Sequence, residues 1–381
     1  MRIAIVHDDL TQRGGAERVV ESMHQIWPDA PIFTSVYDSK GTFASFAQMD
    51  VRTSFMQNLP FASNAKYNKL FLSLYPIAFE TLDLRNYDVV ISHGTRFAHG
   101  VLTSPETCHI HYCHTPARFA WRYHEYVEEG GFNKIYKIFL PFIIHRLRQW
   151  DQSAAQRVDV FFSNSYNIAR RVAKYYRKES DILYPPIETE RFFIVEKPSS
   201  NYLLIVSRLL PYKRIDLAVE ACNRLNIPLK IVGTGPDMTR LKGMAKSNVT
   251  LLGRVPDGNV EQLFAHCRGF IFPGEEDFGI APLEAMAAGR PVIAYRAGGA
   301  METVIEGQTG VFFNEATAQS LMDAIQRLDS LTFQPAELRA HAETFGTVAF
   351  QNRFKMLVEH HFADHRQRFE AQVSKKQNGI I

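Results

Sequence analysis

Two groups of charged residues in this chain are spaced to serve one diphosphate ligand. The stronger is the run Phe272-Pro273-Gly274-Glu275-Glu276-Asp277-Phe278-Gly279-Ile280-Ala281-Pro282-Leu283-Glu284. An apolar stretch ends near Pro273, a loop carries Glu276, and a helix is expected to start near Ala281. Pro282 suits a first helical turn, where its missing N–H costs no hydrogen bond. The unpaired N–H groups of such a turn attract phosphate. Gly279 lets the backbone approach a ligand closely. Glu284 then lies about one turn inside the helix and Glu276 just outside it. Two carboxylates so placed bracket a ligand, each accepting from paired hydroxyls. The bland alternative, a solvated loop charge and a surface helix charge, stays open on spacing alone.

The second group is Ser207-Arg208-Leu209-Leu210-Pro211-Tyr212-Lys213. Arg208 follows an apolar strand pattern and Lys213 precedes a helical one. Two fixed cations there neutralise a diphosphate, Arg through its planar fork and Lys as a point charge. A basic loop exposed to water is the competing account, and the neighbouring carboxylates weaken it.

Two weaker groups lie in the first half. In His7-Asp8-Asp9-Leu10-Thr11-Gln12-Arg13-Gly14-Gly15-Ala16-Glu17-Arg18, Gly14 and Gly15 directly precede a helical pattern. The spacing is neither GxGxxG nor a P-loop, so a tight turn competes with an anion-binding loop. In Cys108-His109-Ile110-His111-Tyr112-Cys113-His114-Thr115-Pro116, alternation puts His109, His111 and Cys113 on one strand face. A zinc site is the obvious thought, but the spacing fits no common structural zinc motif and no HExxH or paired CxxC occurs. His114, last before the turn, is best placed to meet a ligand. No Asp-x-Asp pair occurs anywhere, so nothing suggests a metal-bridged diphosphate.

These residues follow strands in two series of strand–helix alternation. The first has strand candidates at Arg2–His7, Pro31–Tyr37, Asp88–Ser92, Thr107–Cys113, Asp159–Asn164 and Asp181–Tyr184, with helices over Ala16–Ile26 and Tyr166–Tyr176. The second has strands at Tyr202–Val206, Leu229–Val232, Val249–Leu252, Gly269–Phe272 and Pro291–Ala294. Helices there cover Arg214–Leu225, Met238–Ala245, Val260–His266, Ala281–Ala288 and Ala318–Leu328. Continuous apolar runs of this kind belong to parallel sheets buried on both faces. The expectation is an α/β chain of two doubly wound, Rossmann-like domains, 1–190 and 191–345, facing each other across a cleft. A helix over 346–372 is expected to return to the first domain, and the polar tail after Val373 to fray.

The 43 basic and 40 acidic residues give a formal charge of only +3, which offers no reason to propose a nucleic-acid binder. The sum hides a pattern. Residues 133–178 hold ten basic residues and two acids, whereas residues 1–132 hold eleven basic and fourteen acidic. The basic stretch includes the apolar Ile138–Ile144, too short to span a bilayer and flanked by cations. Such a stretch suits either an anionic membrane surface or a core helix with a solvated basic face. Four cysteines are too few for a disulfide scaffold, and the start lacks a secretory signal, so a cytoplasmic protein is expected, with the inner face of the plasma membrane as its candidate peripheral site.

The motifs together resemble the large retaining glycosyltransferase family 4, of GT-B fold. Its hallmark is Glu, seven residues, Glu, then a small-residue helix and Gly-x-Pro-Val, here Glu276, Glu284 and Gly289-Arg290-Pro291-Val292. The Arg and Lys five apart match Arg208 and Lys213. Gly233-Thr234-Gly235-Pro236, Leu252-Gly253-Arg254-Val255 and Gly298-Gly299 fall at the family's intervals. The likeness covers nearly the whole chain and is most specific over Tyr202–Val311. The first half is similar to bacterial members that build exopolysaccharide, O-antigen or envelope polysaccharide, including the heterocyst-envelope type. Ser207 stands where the family usually has Gly.

The resemblance implies a retaining hexosyltransferase using a nucleotide-diphosphate sugar, UDP-glucose ahead of GDP-mannose, and a lipid-linked or oligosaccharide acceptor. It implies no metal or other cofactor. Glu284 would bind ribose hydroxyls, and Glu276 the donor-sugar hydroxyls, with backbone amides of Asp277, Phe278, Gly279, Ile280 and Ala281. Arg208 and Lys213 would hold the diphosphate, Gly14 and Gly15 would close on it, Gly253, Arg254 and Val255 would line the base, and His114 would meet the sugar near the reacting carbon. A nucleotide-sugar epimerase or a non-catalytic nucleotide-sugar-binding protein are the alternatives.

Overall fold

The computed structural model describes residues 1–62, 71–124, 127, 134–196 and 200–377. It divides into two compact units, Met1–Tyr184 with Gln351–Ile381, and Pro185–Phe350.

The first unit is built on a seven-stranded sheet in the order β3-β2-β1-β4-β5-β6-β7. Its strands are β1 (Ile3–His7), β2 (Ile32–Thr34), β3 (Val51–Thr53), β4 (Val89–Gly94), β5 (Cys108–Cys113), β6 (Val160–Ser163) and β7 (Asp181–Ile182), and every pairing is parallel. β1 and β4 are buried throughout, as continuous apolar runs require. β3 escaped the sequence because its three residues, Val-Arg-Thr, hold no apolar run and lie half-exposed at the sheet edge.

The second unit has a six-stranded parallel sheet in the order β10-β9-β8-β11-β12-β13. These are β8 (Leu203–Val206), β9 (Leu229–Val232), β10 (Val249–Gly253), β11 (Gly269–Phe272), β12 (Val292–Tyr295) and β13 (Gly310–Phe313). β13 is a further strand the sequence did not declare, because its apolar run is only Val-Phe-Phe and Gly310 opens it. Both sheets are thus doubly wound.

Helix boundaries follow local chemistry. Ser165 Oγ accepts from Ile168 N at 3.2 Å to start the Tyr166–Tyr176 helix, and Thr317 caps Ala318–Asp329 in the same way. The last helix, Thr347–Gln377, continues through Val373 instead of fraying there, since Ser-Lys-Lys-Gln contains good helix formers. It belongs to the first unit from Gln351 onward. Phe354 is fully buried on it, edge-on to Trp27, Tyr112 and Phe162, and Gln351 reaches the Ser22 carbonyl at 3.2 Å.

Phe354 is the principal anchor of this helix. Phe354→Ala is expected to destabilise the first unit by about 3–5 kcal/mol, the usual cost of such a cavity. Chemical denaturation followed by circular dichroism measures this, and a loss below about 1 kcal/mol would show that the helix is not held through Phe354.

Candidate active site

In an open parallel sheet, ligands settle at the carboxyl ends of the strands where the strand order reverses. In the second unit that point lies between β8 and β11. Lys213 follows β8, Glu276 follows β11, and the two form an ion pair, Nζ to Oε1. Their side chains are 12% and 23% exposed, so the pair is sheltered but reachable.

The backbone around this pair is set by close approaches. A side chain on Gly274 would lie 2.8 Å from the backbone of Lys213, and one on Gly298 would lie 2.2 Å from the Glu276 carbonyl. Gly299 N donates to that carbonyl at 2.9 Å. Gly279 has φ +85°, and a side chain there would strike the Phe272 ring at 2.5 Å. Lys213 closes a 3₁₀ turn over Pro211–Lys213, and Arg214 beyond it holds φ +52°. A non-glycine residue in that region costs on the order of 1 kcal/mol, and such strain gathers at sites that must hold one geometry.

The other expected ligand-binding residues are spread over neighbouring strand ends. Arg208 is exposed just beyond β8. Glu284 is half-buried in the Ala281–Ala287 helix, where it adds to the field on Arg191. Burial works against the charge on Arg191, but Glu261, Glu188 and Glu284 outweigh it and raise its pKa. That helix runs over Ala281–Ala287, one residue short of the expected Ala281–Ala288. Asp277, Gly279, Ile280 and Ala281 are half-exposed around its start, whereas Phe278 is buried. Gly253 (φ +69°) ends β10 at the sheet edge, with Arg254 exposed and Val255 half-exposed beyond it. This segment touches the neighbouring loop through Gly233 N, which donates to the Gly253 carbonyl at 2.8 Å.

The first unit reverses its strand order between β1 and β4, and a buried polar cluster fills that point. His7 and His93 are register partners at the strand ends. Their Nδ1 atoms are 2.9 Å apart, and His93 Nε2 lies 2.5 Å from Nε2 of His114, which follows β5. Glu17, in the Gly15–Ile26 helix, approaches His7 Nε2 at 3.7 Å. Asp8 accepts from the backbone N–H groups of Thr95, Phe97 and Ala98 at 2.7, 2.8 and 2.9 Å, and Arg96 pairs with Asp9. Burial penalises the Asp8 carboxylate, yet Arg96, His7 and these N–H donors pull its pKa below the ordinary value. Gly94 must be glycine, because a side chain there would lie 2.4 Å from the Asp8 carboxylate. Gly14 is half-exposed as the N-cap of the Gly15–Ile26 helix, and Gly15 is exposed.

Among these, His93 carries no signal in the sequence, and His7, Asp8, Asp9 and Glu17 stand out there only as neighbours of Gly14 and Gly15. Polar residues closing buried apolar strands were the available clue. The zinc reading is not where the ligands gather. Ser92 Oγ bridges His109 Nε2 and His111 Nδ1 at 2.8 and 2.9 Å. Cys108 instead lies near Asp159 and His365, with candidate ligand atoms within 4.8 Å of one another. Those groups have other duties: Asp159 accepts from His109 N at 2.8 Å, His365 Nε2 meets the Pro105 carbonyl at 3.2 Å, and burial pushes the Cys108 thiol up to about 12.

The basic segment also resolves into parts. Asn133 lies outside the described residues, as do the side chains of Lys134 and Lys137. In the Lys134–Gln156 helix, Leu140, Ile144 and Leu147 pack into the core. Ile138, Phe139 and Phe142 are 65%, 60% and 72% exposed on its other side. Arg148 is bound to the Ala120 carbonyl, Arg157 to Glu80 and Lys178 to the Val158 carbonyl. Arg146, Arg170, Lys174 and Arg177 remain exposed. Among its described residues the helix is therefore core on one side, with Ile138, Phe139, Phe142 and Arg146 exposed on the other. No helix among the described residues is long and apolar enough to cross a membrane.

Comparison with known proteins agrees with this arrangement. Residues 13–191 match the family model for glycosyltransferase family 4, and residues 186–347 match that for glycosyl transferases group 1. An uncharacterized glycosyltransferase of Methanocaldococcus jannaschii is 26% identical over 170 residues, 41% of this chain and 48% of its own, so the match spans about half of that relative. The alpha-1,3/1,6-mannosyltransferase of Schizosaccharomyces pombe is 26% identical over 365 residues, 81% of this chain and 70% of its own. Among solved structures, sucrose-phosphate synthase of Thermosynechococcus elongatus has a TM-score of 0.74 at 17% identity, covering 96% of this chain and all of that one. HepE of Anabaena, solved with UDP-glucose, has a TM-score of 0.68 at 17% identity over 94% of this chain and all of its own. At such identity these neighbours establish the fold. With two doubly wound sheets and both domain models in sequence, the chain belongs to the GT-B glycosyltransferases, with a family 4 domain followed by a group 1 domain.

Proposed function

We propose that this glycosyltransferase moves a hexose from a nucleotide diphosphate to an oligosaccharide or lipid-linked acceptor, with retention at the anomeric carbon and without a metal. The observation that carries this is the Lys213–Glu276 pair at the strand-order reversal of the second unit. Each partner holds the other's charge until a ligand offers better. Donor hydroxyls take Glu276, and the diphosphate takes Lys213 together with the exposed Arg208. Glu284 binds the ribose, Asp277–Ala281 present backbone N–H groups to the donor, and Gly253–Val255 border the base. In the first unit, Gly14, Gly15 and His114 are the candidate contacts to a sugar nucleotide.

Chemistry then follows from charge. As the glycosidic C–O bond breaks, negative charge grows on the leaving diphosphate, and fixed cations stabilise it more in the transition state than before. The acceptor hydroxyl attacks from the face the diphosphate leaves, and a phosphate oxygen receives its proton. No protein base is needed. A mannosyl donor is favoured over the glucosyl donor expected from the sequence, because a relative covering most of the chain is a mannosyltransferase, whereas the UDP-glucose complex supports only the fold.

The exposed Ile138, Phe139 and Phe142, beside Arg146, support contact with an anionic bilayer, which would bring the enzyme to a lipid-linked acceptor.

Lys213→Ala is expected to lower turnover on the order of 10²–10³-fold, as for loss of one well-placed charge-stabilising donor. Turnover within a few-fold of wild type at unchanged donor affinity would remove the leaving-group role. GDP-mannose should raise the melting temperature more than UDP-glucose, about 2.7 kcal/mol of stabilisation at 100 times Kd. NMR of the product should show the donor's anomeric configuration. An inverted product contradicts retention, and donor conversion without acceptor would point to an epimerase. In flotation assays, Phe142→Ser should reduce association with anionic liposomes. Equal flotation with neutral lipid, or no effect of the substitution, contradicts the membrane role.

A further inference from the structure

Three buried groups of the first unit, Glu17, His7 and His93, make a continuous chain that ends on the half-buried His114, and only that last member was expected to meet a ligand. The contacts are 3.7 Å from Glu17 Oε1 to His7 Nε2, 2.9 Å between the Nδ1 atoms of His7 and His93, and 2.5 Å between the Nε2 atoms of His93 and His114. At the far end, Asn164 Nδ2 stands 3.5 Å from His114 Nδ1. Both ring nitrogens of His93 are engaged by other imidazoles, so its tautomer cannot change alone.

One assignment satisfies every side-chain contact, and the His93 carbonyl, 3.2 Å from His7 Nδ1, gains a donor only when that nitrogen is protonated. Asn164 donates toward His114 Nδ1, His114 Nε2–H donates to His93 Nε2, His93 Nδ1–H donates to His7 Nδ1, and His7 Nε2–H faces the Glu17 carboxylate. A second assignment carries one more proton. A proton taken up at His114 Nδ1 releases the Nε2 proton to His93 Nε2. His93 then passes its Nδ1 proton to His7 Nδ1. The charge ends on His7, protonated on both nitrogens beside Glu17. In the first state His114 offers a lone pair at Nδ1, and in the second an N–H.

We propose that Glu17, His7 and His93 are positioning residues that set, by proton transfer along this chain, whether His114 accepts from or donates to its ligand. The proposal rests on His114 serving the transfer reaction.

The electrostatic surroundings favour storing the charge at His7. Burial alone would lower the pKa of His7, but Glu17, Asp8 and Asp9 together raise it above the ordinary value. Burial, with His114, His7 and His111 nearby, keeps His93 well below its ordinary value. Burial also opposes the Glu17 carboxylate, and His7 more than offsets it, so Glu17 stays ionised. Arg96 faces Asp8 and Asp9, and Tyr112 packs against both His93 and His114. Glu17 Oε2 is buried with no hydrogen-bond partner among the described residues, and a side chain on Gly14 would lie 2.7 Å from it. A carboxylate left under-satisfied in the interior gains from a cation beside it.

The test is histidine-selective NMR of the whole ligand-free chain, following the ring resonances of His114 from pH 5 to pH 9. Glu17→Gln should lower the apparent pKa of His114 by about one unit or more, although the two do not touch. Glu17→Asp should restore most of it. In a His93→Gln background, Glu17→Gln should no longer move the His114 titration, a result that a merely structural role does not produce. If Glu17→Gln does not fold, His7→Gln carries the same expectation. An unchanged His114 titration in the folded Glu17 or His7 variant, or an equal shift in the His93→Gln background, overturns the proposal. Turnover of His114→Ala is a separate measurement. Wild-type turnover there would end the catalytic reading of His114 while leaving the proton chain standing, and lost turnover with uncoupled titration would do the reverse.

Discussion

Parallel strands buried on both faces make a charged side chain costly within the sheet, and both candidate clusters of this protein gather at the strand ends instead. A charged residue in the middle of β8 or β11 would face the full cost of burial. In the loop beyond the strand it can stand beside its counterpart from the next strand, at the gap where the strand order reverses. The Lys213–Glu276 pair occupies that gap in the second unit, and the His7–His93–His114 cluster occupies it in the first. Glycines at 94, 274, 298 and 299 are consequences, since these loops pass too close for side chains.

The two reversal points are filled differently. In the second unit the charge sits in a sheltered but accessible ion pair, with Arg214, in the left-handed region, directly after Lys213. In the first, charge is driven inward and bound by backbone N–H groups, an arginine and a carboxylate. The first arrangement suits binding a polyanion and its sugar. The second suits holding one imidazole, His114, in a defined protonation state.

The sequence made the second unit the more legible. Glu276, Arg208 and Lys213 lie in the connections after strongly patterned strands and Glu284 in the short helix that follows, so their placement followed from local signals. Strands β3 and β13 were missed because one has no apolar run and the other only a short one. The first unit's cluster was out of reach for another reason. His7 meets His93 only through the register of β1 on β4, and His114 joins through β5, contacts between residues far apart in the chain. Glu17 looked like an ordinary first-turn acid until its helix carried it beside His7. The basic stretch was half legible. Its charge was visible, but the assignment of Arg148, Arg157 and Lys178 to internal partners was not.

The central claim is that Lys213 and Glu276 act as one unit on one donor. A double-mutant cycle on kcat/KM with Lys213→Ala, Glu276→Gln and the double variant measures it directly. Acting on the same donor and on each other, they should show a coupling of at least about 1 kcal/mol, the double variant losing much less than the two single losses combined. Losses that add within about 0.3–0.5 kcal/mol would contradict the account, because residues that do not share a partner behave that way.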